Sequence, residues 1–357
     1  MALTNLKIDL TAHPKPLPDP DTLVFGKTFT DHMFLMDYDA ERGWHDPRIV
    51  PYGPLSLDPS CMVFHYAQEL FEGMKAYRNP QGQVQLFRPY ENARRFNSSC
   101  ERMCIPPMEE ELFVDAIKAL VKVDNAWVPH KKGASLYIRP FVFATDCSLG
   151  VHASHSYLFA VICCPVGSYY KEGINPVRIY VEEEDVRAVR GGTGYTKCGG
   201  NYAASIRAGE RANRQGYTQV LWLDGIHRKY VEEVGAMNVL FKVDGTVITP
   251  ELAGSVLPGI TRKSCLELLR SWGVPVEERP ISAEELFEAA DAGRLEEAWG
   301  SGTAAVVSPI GELGMGARHI TIHGGTTGPL TQKLYDTLTG IQWGTEPDPF
   351  GWVVPVE

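Results

Sequence analysis

The chain has 357 residues, which at about 150 residues per domain suggests two domains with cores large enough to need no disulfide staples. Hydrophobic residues make up 44% and charged residues 22%, an ordinary globular balance that excludes wholesale disorder. Lys plus Arg at 34 against Asp plus Glu at 44 give a net charge of −10, a field that repels nucleic acid and anionic membranes and favours a small-molecule partner.

No basic segment leads into an apolar run at the start, and the longest apolar stretch, Tyr157 to Val166, is about half of what spans a bilayer. A cytoplasmic protein without a membrane partner is expected. The eight cysteines then read as reduced thiols. Cys163 and Cys164 are adjacent on a strand pattern and point to opposite faces. Cys100 and Cys104 stand four apart on a helix pattern, which could pair them on one face, but without further ligands at zinc spacing. His152 and His155 have no carboxylate or helix pattern to support a metal, so no metal site is expected.

Along the chain, Pro14, Pro16, Pro18 and Pro20 mark the first twenty residues as a surface arm. Residues 67 to 88 alternate about the turn cluster Asn79-Pro80-Gln81-Gly82, a β-hairpin signature. Helical spacing predicts helices over 89 to 103 and 109 to 124. Strands are expected over 135 to 144 and 157 to 165, a linker over 167 to 176, and a strand over 177 to 182. The Gly-rich run 191 to 194 leads through Lys197 into a helix from 201 to 215. Residues 219 to 249 read as a meander with an Asp244-Gly245 turn. A helix over 261 to 272 follows, then a Ser282/Glu285 capping box, a single strand over 297 to 307 and a helix over 330 to 338. Hairpins and meanders without regular βαβ alternation predict an α+β fold, with domains at 1–166 and 177–357.

Three common enzyme signatures nearly occur and fail. Gly26-Lys27-Thr28 ends like a P-loop, but Asp21 stands where its first glycine belongs. Gly192-x-Gly194 lacks the third glycine of a dinucleotide site, because Lys197 occupies that place. No G-x-S-x-G elbow exists. What remains is Lys197 between glycines, where the backbone can approach a ligand and a desolvated lysine can form a Schiff base; an exposed lysine on a flexible loop is the plain alternative. Glu232 and Glu233 lie in an otherwise apolar strand, so alternation sends one to solvent and one inward, where it needs a cation such as a protonated pyridine; an edge-strand charge pair is the alternative. Residues 257–262 form a turn opening a helix, a ready phosphate site although a common one. Gly300 to Ala305 add a second Gly-rich turn with hydroxyls. Together these features suggest pyridoxal phosphate.

At this point the chain resembles the branched-chain amino acid aminotransferases of the class IV group. The resemblance is carried by Phe25 to Met33, Phe64-His65-Tyr66, Leu70 to Lys75, Leu86 to Pro89, Tyr137-Ile138-Arg139-Pro140, the Lys197 segment, Glu233 to Asn238, the 257–262 turn and Gly300 to Ala304. It implies a D-amino-acid-aminotransferase-like fold (fold type IV), with a small N-terminal and a large C-terminal α/β domain and the cofactor at their interface. Lys197 would be the Schiff-base lysine and proton shuttle, Glu233 the partner of the pyridine nitrogen, and Tyr202 the partner of the ring's phenolic oxygen. Arg95, Ile260, Thr261 and Thr303 would hold the phosphate.

The same resemblance implies a substrate pocket of Phe25, Tyr66, Tyr137, Arg139 and Tyr169, with the Thr303-Ala304 amides near the substrate carboxylate. Leu149 and Val151 would cap the partner subunit's pocket in a homodimer. The implied reaction is reversible, ping-pong transamination of L-leucine, L-isoleucine and L-valine with 2-oxoglutarate. A D-amino acid aminotransferase or aminodeoxychorismate lyase would share the lysine, the glutamate and the phosphate cradle. A non-catalytic binding protein would be expected to lack Lys197 or Glu233. Ala305 and Ser308 stand where some animal members carry a C-x-x-C pair, so thiol regulation there is not expected.

Overall fold

The computed structural model describes residue 3, residues 5–167 and residues 174–357. It comprises two compact units, Met1–Tyr169 with Thr196–Gly199 and Gly340–Glu357, and Tyr170–Tyr195 with Gly200–Thr339.

In the first unit, eight strands lie in the order Lys7–Ile8, Gly43–Pro51, His32–Asp39, Ser156–Val166, Ser135–Ala144, Met74–Arg78, Val84–Phe87 and Val353–Pro355, and Glu69–Phe71 pairs with Ser135–Ala144. All pairs are antiparallel except the first. Helices Pro89–Met103 and Glu110–Val123 cover one face, where Phe34, Phe96, Phe113 and Phe159 are fully buried or nearly so. The opposite face buries Met33, Leu35, Phe143 and Leu158 in a second cluster. Both faces are therefore apolar, which explains why Tyr157 to Val166 reads as an unbroken run instead of an alternating one. Cys163 joins the helix-side cluster and Cys164 packs with Tyr137 on the other face.

In the second unit the order is Val231–Val234, Gln219–Leu223, Val177–Glu182, Val306–Met315, Leu295–Gly302, Asn238–Val243, Thr246–Thr249 and Val276–Glu278, with Arg318–Thr321 on Val306–Met315. Gln219–Leu223 and Val306–Met315 flank Val177–Glu182 in parallel, so the sheet is mixed. Helix Ala283–Asp291 starts as its capping box requires, with the Ser282 hydroxyl accepting from the Glu285 amide at 3.0 Å.

Four readings of the sequence change. The tail Gly340–Glu357 and the four residues Thr196–Gly199 group with the first compact unit, not with the rest of 177–357. The tail returns because Val353–Pro355 supplies an edge partner to Val84–Phe87, a pairing no local pattern announces. The single strand expected over 297 to 307 is a hairpin, Leu295–Gly302 and Val306–Met315, turning at Thr303-Ala304-Ala305. The helix expected over 201 to 215 is two pieces, Gly199–Ala203 and Ile206–Arg214. Cys104 is the left-handed cap of its helix and exposed while Cys100 is buried, so the two are not paired on one face.

Candidate active site

In the first unit, Lys197 is held through its backbone. Its amide donates to Ser99 Oγ at 3.3 Å and its carbonyl accepts from the Phe71 amide at 3.0 Å. The ammonium lies 4.7 Å from the Phe71 ring centroid, and the Arg139 guanidinium lies 4.3 Å from the same ring. Phe71 thus orients two cations by cation–π attraction. Next to it, Glu72 is fully buried and accepts from Arg95 Nε and Nη2, both at 2.8 Å, and from Asn92 Nδ2 at 2.7 Å. Burial alone would push the Glu72 carboxyl up, but the Arg95 charge beside it, with Lys197 adding to the field, holds it below its ordinary value. The fork fixes the plane of Arg95 on helix Pro89–Met103.

Tyr137 and Arg139 stand two residues apart on Ser135–Ala144, as the strand period dictates for side chains sharing a face. Arg139 Nη2 donates to the Tyr137 hydroxyl at 3.0 Å, and the Phe25 ring meets Tyr137 edge-on at 4.8 Å. Burial pushes the Tyr137 hydroxyl up, so it stays a neutral donor and acceptor. Gly73 is required here: a Cβ at that position would lie 2.3 Å from the Tyr137 hydroxyl. Glu69, raised by burial, accepts from the Gly199 amide two residues beyond Lys197. The Tyr66 hydroxyl, at the end of helix Met62–Tyr66, donates to the Leu149 carbonyl. Leu149 and Val151 are exposed. Tyr169 lies outside the described residues.

In the second unit, Glu233 on Val231–Val234 is 3% exposed. Its Oε1 accepts from the Leu257 amide at 2.8 Å and its Oε2 meets Arg187 Nε at 3.0 Å. Glu232 is buried as well and accepts from the Ser255 hydroxyl. The expectation that one of the two faces solvent is therefore corrected. Strand alternation holds, but a loop covers the second face too.

The 257–262 turn is also tied to the start of the following strand, Asn238–Val243, because Asn238 Nδ2 donates to the Leu257 carbonyl at 2.8 Å. A Cβ on Gly259 would lie 1.9 Å from Asn238 Oδ1, so glycine is required for this approach. Helix Ile260–Ser271 begins after Gly259 with no side-chain cap, so Ile260 and Thr261 carry first-turn amides suited to an anion. Thr303 and Ala304 sit at the hairpin turn before Val306, whose φ is +62°. Tyr202 is half-buried on the short helix Gly199–Ala203.

Within the first unit the structure brings together Lys197, Arg95, Arg139, Tyr137 and Phe25 around Phe71 and Glu72. Within the second it ties Glu233 to the turn before Ile260 and Thr261. Sequence reasoning missed Glu72, Asn92, Arg187 and Asn238. Glu72 and Asn238 stood inside quoted motifs, and the need of a buried charged or polar side chain for a partner could have flagged them. Arg187 and Asn92 carry no local signal.

Each unit thus presents groups that suit aminotransferase chemistry: in the first, a lysine fixed in a glycine-flanked segment, and in the second, a buried carboxylate with its own arginine beside an uncapped helix start. The family model for class IV amino-transferases matches residues 69–313, and the chain belongs to this family. Over 356 residues it is 54% identical to branched-chain-amino-acid aminotransferase 2 of Bacillus subtilis (strain 168), covering 100% of this chain and 98% of that protein. It is 48% identical over 334 residues to the branched-chain-amino-acid aminotransferase of Mycolicibacterium smegmatis, covering 92% and 91%. Among solved structures it is similar to the Escherichia coli branched-chain amino acid aminotransferase, with a TM-score of 0.77 and 26% identity over 92% of this chain and 99% of that one. A second solved branched-chain amino acid aminotransferase, bound to pyridoxamine 5′-phosphate, gives a TM-score of 0.76 at 26% identity, over 91% and 98%.

Proposed function

We propose that this chain catalyses reversible, ping-pong transamination of L-leucine, L-isoleucine and L-valine with 2-oxoglutarate, using pyridoxal 5′-phosphate. The observation that carries the reading is Lys197, whose backbone is clamped between Ser99 and Phe71 while its ammonium lies over the Phe71 ring. The similarity to named branched-chain enzymes over nearly the whole chain supports the substrate class.

The residues fit the cofactor. Bound there, pyridoxal phosphate supplies an aldehyde carbon for amines and a ring that accepts electrons. Lys197 would hold it and carry the proton between the substrate Cα and the cofactor C4′. Glu233, fixed by Arg187 and the Leu257 amide, would hold the proton on the ring nitrogen. Tyr202 would hydrogen-bond the phenolic oxygen. The Ile260 and Thr261 amides, Thr303 and Arg95 would hold the phosphate.

On the substrate side, Phe25, Tyr66 and Tyr137 would give an aliphatic side chain apolar surface, worth about 0.8 kcal/mol per buried methylene. Arg139 and the tyrosine hydroxyls would meet the second carboxylate of glutamate. Tyr169 and the Thr303-Ala304 amides complete the proposed pocket. The proposed assembly is a cytoplasmic homodimer whose Leu149 and Val151 cap the partner's pocket; their 66% and 81% exposure supports this. No helix among the described residues is long and apolar enough to cross a membrane.

The test is the visible spectrum of the holoenzyme with L-leucine, then with 2-oxoglutarate, with D-alanine as control. The cofactor band is expected to disappear with L-leucine and return with 2-oxoglutarate. A response to D-alanine alone would overturn the substrate assignment. Leucine deamination retained in Lys197→Ala would remove the lysine from its role.

A further inference from the structure

The pair His152 and His155, which lacked a carboxylate partner in the sequence, acquires one in the fold. Asp146 Oδ2 lies 3.0 Å from His155 Nδ1 and 3.5 Å from His152 Nε2. The three ligand atoms fall within 4.8 Å of one another. Metal–ligand bonds of about 2.0–2.2 Å in a tetrahedron set neighbouring ligand atoms about 3.3–3.5 Å apart, so two of the edges already have nearly the spacing of a coordination shell.

The surrounding contacts orient the donors. His152 Nδ1 lies 2.9 Å from the Gly150 carbonyl, a contact that requires the proton on Nδ1 and turns Nε2 toward Asp146. A lone pair facing a carboxylate is unfavourable unless a cation, proton or metal, lies between them. Asp146 is itself fixed: Ser156 Oγ donates to Oδ1 at 2.9 Å and the His155 amide to Oδ2 at 2.8 Å. A histidine held through its second nitrogen and a carboxylate held through its second oxygen are the outer contacts that metal ligands use.

We propose that Asp146, His152 and His155 form a binding site for a divalent transition metal ion of the zinc type, with the fourth position open to water. Imidazole and carboxylate donors suit Zn²⁺, Co²⁺ and Ni²⁺. The ion closes the segment 146–155 on itself and stiffens the loop that carries Leu149 and Val151. The relevance of that loop to catalysis rests on the proposed function; metal binding is read without turnover.

The experiment titrates Co²⁺ and Zn²⁺ separately into metal-stripped holoenzyme, following the Co²⁺ ligand-field bands and the heat of Zn²⁺ binding. One ion per chain with tetrahedral Co²⁺ bands is expected. His152→Ala, His155→Ala and Asp146→Asn should each weaken binding by about tenfold or more, since even outer-contact losses cost 10–100-fold. His155 is largely exposed, so its variant folds normally and circular dichroism verifies this. Cys104→Ser/Cys147→Ser should bind as the parent does. Amide exchange over 147–154 should slow on Zn²⁺ addition in the parent and not in His155→Ala. Absence of uptake, binding unchanged in the three variants, loss of binding in the cysteine variant or unaltered loop exchange would each overturn the proposal. If the leucine spectrum fails while the Co²⁺ bands appear, the site stands and the proposed function falls.

Discussion

Arg187 and Glu233 form a closed pair in the second unit, Nε to Oε2 at 3.0 Å with side chains only 7% and 4% exposed. Arg187 also donates from Nη2 to the carbonyls of Gly194 and Ser255. One guanidinium therefore anchors the glycine run before Lys197, the segment before the 257–262 turn and the carboxylate assigned to the ring nitrogen. Removing one partner of a buried pair costs about 3–5 kcal/mol. Arg187→Met is expected to lower stability by that order, measured by urea unfolding, and to release cofactor on dialysis; unchanged retention would separate Arg187 from the cofactor's binding.

Glu72 makes the corresponding pair with Arg95 in the first unit. Glu72→Gln keeps the shape but removes the carboxylate charge from the buried Arg95 fork, and should cost about 3–5 kcal/mol. Because the groups touch, Glu72→Gln combined with Arg95→Met should cost less than the sum of the single changes. A strictly additive double mutant would show that the fork carries no coupling.

Gly73→Ala places a methyl group 2.3 Å from the Tyr137 hydroxyl. The ring has to move, at about 1–3 kcal/mol of packing strain. The expected signature is a raised KM for both substrates, and wild-type kinetics would show that Tyr137 is not held where the pocket needs it.

Arg139→Leu tests the dual-specificity reading. Loss of a charge-assisted hydrogen bond of about 1.5–3 kcal/mol should raise KM for 2-oxoglutarate by about tenfold or more. KM for L-leucine should stay within about twofold, because an aliphatic side chain makes no bond to the guanidinium. Equal effects on both substrates would reject the assignment.

Asp224 organises the turn before Tyr230 by accepting the amides of Ile226 and His227 on Oδ2 and those of Lys229 and Tyr230 on Oδ1. Burial opposes its ionisation, but those four donors win and bring its pKa down to about 2. A depressed carboxylate contributes stability that is present above its unfolded value of about 4 and is lost as pH falls toward 2. The stability gap between wild type and Asp224→Asn should therefore be full at pH 5 and shrink from about pH 4 downward. A gap independent of pH would assign the effect to shape alone.

Much of the fold was legible because its signals are local. The Asn79–Gly82 turn, the helices at 89 and 110 and the Ser282 cap each depend on a few consecutive residues, and each appears where the pattern put it. The Lys197 segment and Glu233 were legible for a different reason: a lysine among glycines and a carboxylate in an apolar strand both violate the composition expected of their surroundings. The segment Gly300 to Ala305 was legible as a Gly-rich turn, but the chain reversal at 303–305 was not, because strand-forming Val306 and Val307 follow at once and the left-handed conformation of Val306 leaves no mark in the sequence.

The sequence by itself determined the elements and the residues that break the local rules. The tertiary structure decided which of those residues stand together. Arg187 reaches Glu233 across 46 positions, Glu72 is met by Arg95 from a helix, and the tail returns to pair with Val84–Phe87. Asp146 likewise comes between two histidines that no local spacing joins to it. The physical reason is the cost of burying an unpaired charge or an open sheet edge. That cost demands a partner but does not say from how far along the chain it will come.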